Sequence, residues 1–240
     1  MSELRWLSPA GAPDAFPPPD EALKEPNGLL AVGGDLSPER LLCAYPRGLF
    51  PWYERDQPIL WWSPDPRAVL FPADLHVSRR LARTLRRSTL RLSADTALGE
   101  VIEGCAAPRR GGGGTWITPA MHEAYRRLHE LGWAHSFEAW DSGDLVAGLY
   151  GVAVGRVFFG ESMFTRVSNA SKVVFVKAVE YLAARGFELV DCQVRTAHLK
   201  SLGATTLPRT QFLCALEALC EPRGKPSLWA EDFARRTRAR

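Results

Sequence analysis

The 240-residue chain has no apolar run approaching the roughly 20 residues that cross a bilayer, which argues against a membrane-spanning helix. Its first residues are rich in proline and acids and lack the basic-then-apolar pattern of a secretory leader, so a cytoplasmic protein is the expectation. Cysteine is sparse. Cys43, Cys105, Cys192, Cys214 and Cys220 are odd in number and scattered, which argues against a disulfide framework. There is no CxxC pair, and His122 and His129, on one face of an expected helix, do not form the HExxH arrangement of a zinc enzyme. No metal is expected. The tract Gly111–Gly114 lacks the Lys-Ser/Thr of a phosphate-binding loop. What remains is an ordinary globular composition, long enough for one large domain or two small ones.

The formal net charge is only +3, but it is unevenly placed. Ser78 reads as the cap of a helix reaching Arg87. At 100° per residue, Arg79, Arg80, Arg83, Arg86 and Arg87 fall in one stripe about 120° wide, with Leu81, Ala82 and Leu85 opposite. A solvated face is the ordinary outcome for a charge run. Five arginines with no acid four residues away repel one another, however, and this favours an anionic partner. Phosphate suits them best, because guanidinium binds it bidentately. The basic run Phe233 to Arg240 is expected to fray.

Residues 1–27 read as extended and proline-rich, with little periodicity. A short strand at 28–35 precedes a helix capped by Ser37 with Pro38 at its first turn, then two irregular strands rich in Trp and Phe. Composition shifts after Asp65-Pro66. A strand at 68–71, the arginine helix and a helix at 98–106 follow, and Thr118-Pro119 starts another helix. His135 to Trp140, Leu145 to Val154 and Arg156 to Phe159 form an antiparallel meander with turns at Gly143 and Gly155. A helix over 171–185, a strand over 187–194, a helical turn and a helix over 208–219 complete the series. This order is α+β, a mixed sheet flanked by helices, and it resembles the acyltransferase fold of the N-acetyltransferase superfamily. The expected division is a small N-terminal α/β domain, 1–67, and an N-acetyltransferase-like catalytic domain with a basic tail, 68–240.

Two segments lodge polar groups among apolar ones. In the strand 187–194, alternation puts Asp191 and Gln193 on one face, about 7 Å apart, with Cys192 turned to the core. In Phe158-Phe159-Gly160-Glu161-Ser162-Met163-Phe164, an acid sits among aromatics. A buried carboxylate must be paired or shift its pKa. Each acid is therefore either satisfied by an arginine or by backbone amides, or part of a reactive site. Arg109 to Gly114 also fits the loose Arg-x-x-Gly-x-Gly pattern of acyl-CoA pyrophosphate loops, and equally a mobile loop.

Taken together, Glu25 to Leu36, Phe50-Pro51-Trp52, Trp61-Trp62-Ser63-Pro64-Asp65-Pro66-Arg67, Gly114-Thr115-Trp116-Ile117-Thr118, Phe159 to Phe164 and Asp191-Cys192-Gln193 resemble the bacterial leucyl/phenylalanyl-tRNA–protein transferase family over roughly residues 16–220. The resemblance implies transfer of Leu or Phe, with Met as a minor donor, from aminoacyl-tRNA to an N-terminal Arg or Lys, marking the acceptor for degradation. By motif, Asp191 and Gln193 become the catalytic pair, and Trp52 and Trp116 the aromatics that hold the terminal adenosine. Leu149, Phe158, Met163, Phe175 and Val190 line the aminoacyl side-chain pocket, and Glu161 lies beside it. The arginine helix then meets the acceptor stem. Converting an ester to an amide is downhill, so neither ATP nor a metal is expected. In the implied chemistry the Gln193 carbonyl accepts an N–H of the attacking amine while Asp191 holds its NH₂; the alternative is a proton shuttle through the tRNA's own ribose hydroxyl. Two other functions stay open: an acyl-CoA-dependent N-acyltransferase and a non-enzymatic RNA-binding protein. A monomer is expected.

Overall fold

Apolar and β-branched segments broken by glycine turns fold into two sheets in the computed structural model, which describes residues 4–108, 117–221 and 226–238. Expectations placed on Arg109 to Trp116, the glycine tract included, lie outside the described residues. The first sheet holds β1 (Arg5–Leu7), β2 (Leu29–Gly33), β3 (Phe50–Pro51) and β4 (Leu60–Trp62) in the order β1-β2-β4-β3. Helix α1 (Pro38–Ala44) connects β2 to β3. The second sheet has seven strands: β5 (Arg67–Leu70), β6 (Arg91–Ala94), β7 (Ala134–Asp141), β8 (Asp144–Val154), β9 (Val157–Thr165), β10 (Leu189–Gln193) and β11 (Thr205–Leu207). Its order is β11-β5-β10-β9-β8-β7-β6, with β9 and β10 parallel and the other neighbours antiparallel.

The helices are α2 (Arg79–Arg87), α3 (Leu98–Ala106), α4 (Pro119–Glu130), α5 (Ala170–Ala184), α6 (Ala197–Ser201), α7 (Arg209–Leu219) and α8 (Ala230–Arg238). They start where the sequence supplies caps. Ser37, Ser78 and Thr118 each accept the backbone N–H three residues on, and Pro38 and Pro119 sit in first turns. Helices α3 and α4 pack on one face of the large sheet with Tyr150 and Phe159, while α5, α8 and Leu81 of α2 pack on the other with Leu149 and Phe158. The architecture is α+β with a mixed sheet flanked by helices, as the element order implied. Among the described residues, no helix is long and apolar enough to cross a membrane.

The extended first residues include a strand, because β1 pairs parallel to β2 with Arg5 opposite Ala31. One expectation is corrected: over its described residues, the basic C-terminal segment does not fray but forms α8. Trp229 and Phe233, four residues apart, are 3% and 2% exposed, and the arginines that follow them mask that apolar stripe in a reading by charge. The Trp229 ring stacks on His135 at 3.4 Å, and its backbone N–H donates to Asp95, which also accepts from Ser136. Asp232 accepts from Tyr181 and pairs with Arg185. Truncating Phe233→Ala is expected to cost about 3–5 kcal/mol in urea unfolding; an unchanged midpoint would show that α8 adds nothing to the fold.

Candidate active site

Strands β9 and β10 pair through only three residues, Leu189 with Val157, Val190 with Phe158 and Asp191 with Phe159. Beyond that point β9 continues beside β8 while β10 turns away, so the sheet opens. A cavity of about 710 Å³ lies at this opening. Each strand beside it carries an irregularity. On β9, Gly160 pairs with Gly151 and Ser162 with Tyr150, which leaves Glu161 as the extra, bulged residue. The bulge shifts the side-chain parity of the strand, so Phe158 and Met163, an odd five apart, pack on the same face of the sheet. On β10 the register slips at Cys192, and Gln193 takes a left-handed φ of 59°.

The two acids end in different surroundings. Asp191 is fully buried and bound bidentately by Arg67, also fully buried, with Nε–Oδ1 at 2.8 Å and Nη2–Oδ2 at 2.6 Å. The guanidinium packs over the rings of Phe50 and Phe212, 4.6 Å and 4.8 Å from their centroids, and donates to the Gly48 carbonyl. Breaking such a pair from one side costs about 3–5 kcal/mol. Asp191 does not hold the Gln193 NH₂, as the sequence had suggested. Its Oδ1 accepts the Gln193 backbone N–H at 2.9 Å, and the Gln193 NH₂ donates instead to Glu161 Oε1 at 3.3 Å. The slipped register and left-handed φ end the regular alternation on which the expectation rested. Cys192 is half-buried and borders the cavity rather than lying wholly in the core, and burial pushes its thiol well up from the ordinary range.

Glu161 is the centre of the polar wall. Its Oε1 accepts from the Tyr45 hydroxyl at 2.8 Å and its Oε2 from the Tyr125 hydroxyl at 2.6 Å, and the two hydroxyl oxygens are 2.9 Å apart. Among the described residues no Lys, Arg or His pairs with it. Burial pushes its carboxyl up to about 7; the two tyrosine donors oppose the rise, the charge of Asp191 adds to it and Arg67 opposes it from longer range. Burial, then the Glu161 charge, holds the Tyr45 and Tyr125 hydroxyls well above their usual range. Tyr150, whose ring meets Tyr125 edge-on at 5.2 Å, is fully buried on the same wall, and its hydroxyl makes no hydrogen bond among the described residues.

The sequence-predicted residues Leu149, Phe158, Met163, Phe175 and Val190 all line the cavity, as do Glu161, Asp191 and Gln193. Trp52 stands at the same cavity, 45% exposed, with its ring 5.6 Å from that of Trp62. Trp62 donates through Nε1 to the Trp52 carbonyl. Trp116 lies outside the described residues. Arg79, Arg80, Arg83, Arg86 and Arg87 are all exposed on α2, apart from the cavity-lining set, and form no ion pair among the described residues. Reading by sequence missed Arg67, Tyr45, Tyr125 and Tyr150 as parts of the site. Arg67 stood in a quoted motif, and the need of a buried Asp for a cation was the signal that pointed to it. The tyrosines looked like ordinary core residues.

Residues 69–217 match the family model described as leucyl/phenylalanyl-tRNA protein transferase, and residues 34–65 match the model of that protein's N-terminal domain. These matches define the chain as a transferase. It is 57% identical over 231 residues, 96% of each chain, to the leucyl/phenylalanyl-tRNA–protein transferase of Aromatoleum aromaticum. It is 61% identical over 217 residues, 90% of this chain and 93% of the relative, to that of Anaeromyxobacter dehalogenans. The chain belongs to the leucyl/phenylalanyl-tRNA–protein transferase family. A solved GCN5-related N-acetyltransferase from Kribbella flavida overlaps it with a TM-score of 0.37 and 13% identity over 70% of this chain and 60% of that one, too slight a likeness to carry an argument.

The raised Glu161 carboxyl links stability to pH. Its folded pKa of about 7 lies above the ordinary 4.5, so the folded state binds more protons between those values. Stability therefore falls as pH rises through that window. Glu161→Gln is expected to remove this slope, gaining on the order of 3 kcal/mol relative to wild type between about pH 4.5 and pH 7. Parallel stability curves for the two proteins would show that Glu161 ionises in the fold as it does in water.

Proposed function

We propose that this aminoacyltransferase moves Leu or Phe, and Met less well, from aminoacyl-tRNA to a protein whose first residue is Arg or Lys, creating a degradation signal. The observation that carries this reading is the single cavity joining an apolar wall to a Gln193–Glu161 polar wall beside Trp52. Leu149, Phe158, Met163, Phe175 and Val190 hold the donor side chain. An apolar wall of this kind discriminates weakly among similar-sized residues, and Met163 adapts to either shape. Trp52, with Trp116, stacks the terminal adenine, a contact of about 1–3 kcal/mol. Gln193 cannot act as a base. With its NH₂ committed to Glu161, its carbonyl oxygen accepts an N–H of the amine and orients the lone pair toward the ester. Asp191 and Arg67 fix the Gln193 backbone from behind, which makes Asp191 a positioning residue.

We propose that residues 1–67 bring Trp52 to the cavity mouth, that residues 68–240 supply the acids and the apolar wall, and that the protein works as a cytoplasmic monomer. The five free cysteines fit a reducing compartment. The test is single-turnover transfer of labelled Leu or Phe from charged tRNA to a peptide beginning with Arg. Wild type is expected to transfer it, with Gln193→Ala slowed ~10²-fold. A wild-type protein that transfers nothing overturns the reading, and a Gln193→Ala rate near wild type overturns the role of Gln193.

Arg79, Arg80, Arg83, Arg86 and Arg87 bind the phosphates of the acceptor stem in this reading. Their first turn contains no acid and begins with two arginines, where the helix dipole disfavours cations, so the helix is built for an anion rather than for its own stability. Arg80→Ala/Arg83→Ala is expected to lower the slope of log K against log salt by about 2. An unchanged slope removes α2 from the tRNA surface.

A further inference from the structure

Of the two acids at the cavity, only one has charge to offer. Asp191 is neutralised by a buried arginine that holds both of its oxygens. Glu161 is held by neutral donors alone: Tyr45, Tyr125 and the Gln193 amide. A buried carboxylate so arranged, opening on a cavity, is a site for a cation. It is also short of one proton. Tyr45, Tyr125 and Glu161 form a triangle of three close oxygen contacts at 2.6 to 2.9 Å, and the two hydroxyls supply two protons to it. With both donated to the carboxylate, the contact between the hydroxyls has none. A third proton on Glu161 lets one tyrosine turn to the other and satisfies every contact.

A second observation concerns the same wall. The Tyr150 hydroxyl, fully buried there, has no hydrogen-bond partner among the described residues, and it is close enough to Glu161 that the carboxylate's charge helps raise its pKa. Such an orphaned group is a cost to the fold until something pairs with it. Glu161 and Gln193 border one cavity, and each offers an acceptor oxygen to the N–H donors of an ammonium.

We infer that Glu161 is the proton acceptor for the attacking amine: its carboxylate binds the acceptor's α-ammonium and takes one proton before the nitrogen attacks the ester. The inference rests on the aminoacyl-transfer reading above. The steps balance. R–NH₃⁺ gives one proton to Glu161 and becomes R–NH₂. The nitrogen lone pair forms the N–C bond, the bond from the carbonyl carbon to the ribose oxygen breaks, and that oxygen leaves with a second proton from the nitrogen. Glu161 returns its proton to solvent as the product departs. The pKa of Glu161, about 7, lies close below the roughly 7.7–8.0 of an α-ammonium, so the transfer is nearly level. The groups facing it are Tyr45, Tyr125, Tyr150, Gln193 and, through longer-range charge, Asp191 and Arg67. Of these only Arg67 is a cation, and its partner is Asp191.

The test compares two acceptors of the same sequence, one with its α-amino group and one with an aminooxy group in its place, which is neutral near pH 7 and needs no proton removed before attack. For wild type, single-turnover transfer to the amine peptide is expected to rise between about pH 6 and pH 8, and transfer to the aminooxy peptide to stay flat. Glu161→Gln is expected to lose ~10-fold with the amine peptide at neutral pH, where about a tenth of a free α-amine is already neutral, and little with the aminooxy peptide. Equal pH slopes for the two peptides on wild type overturn the inference without reference to any variant. So does an equal loss with both peptides in the variant, which would place Glu161 on the donor's own amino group or in a purely structural role. Wild type silent with both peptides would instead overturn the aminoacyl-transfer reading.

Discussion

The site depends on the buried pairing of Arg67 with Asp191. Two unit charges taken out of water are costly, and the cost is offset only when both are fully bonded. Here each carboxylate oxygen meets a guanidinium nitrogen, a third guanidinium nitrogen meets the Gly48 carbonyl, and the cation packs over two aromatic rings, Phe50 and Phe212. The pair joins two neighbouring strands of the large sheet, β5 and β10. Through Gly48 and Phe50 it reaches the small sheet, and through Phe212 it reaches α7. An interaction with no slack holds four parts of the chain in one geometry. The Gln193 backbone hangs from it by one further hydrogen bond.

Against that rigid anchor, the polar wall of the cavity is made by two departures from regular strand geometry. A bulge offers Glu161 to the cavity and a left-handed residue offers Gln193, one from each side of the opening. Neither could point where it does from an ideal strand without also turning its neighbours. The same bulge brings Met163 round to the face of Phe158. Polar and apolar walls thus share one local defect, and a change of strand register there would disturb both at once.

The α+β layout was legible because capping residues and strand alternation act locally: Ser78 and Thr118 begin helices where their sequence positions say they should. The apolar lining was legible through the resemblance as a whole, since of its five residues only Met163 stands in one of the matching motifs. The partners of the acids were not. Arg67 stands 124 residues from Asp191, and only the sheet order makes them neighbours. Of two readings held for a buried acid, satisfaction by an arginine proves true of Asp191 and not of Glu161. The α8 stripe was hidden because two aromatics four residues apart are a weak signal beside a run of arginines. Trp229 gains its place from His135 and Asp95, both distant in sequence.

Helix α8 also bears on the cavity it never touches. The Trp229 ring lies 6.3 Å from that of Phe158, whose other side forms part of the apolar wall. The wall is therefore two layers thick, and its outer layer comes from beyond residue 217, where the family match stops. A chain cut back to the matched residues would keep every lining side chain and lose the backing behind Phe158 and Phe137. The shape of this cavity thus depends in part on a segment that reads, by charge alone, as a disposable tail.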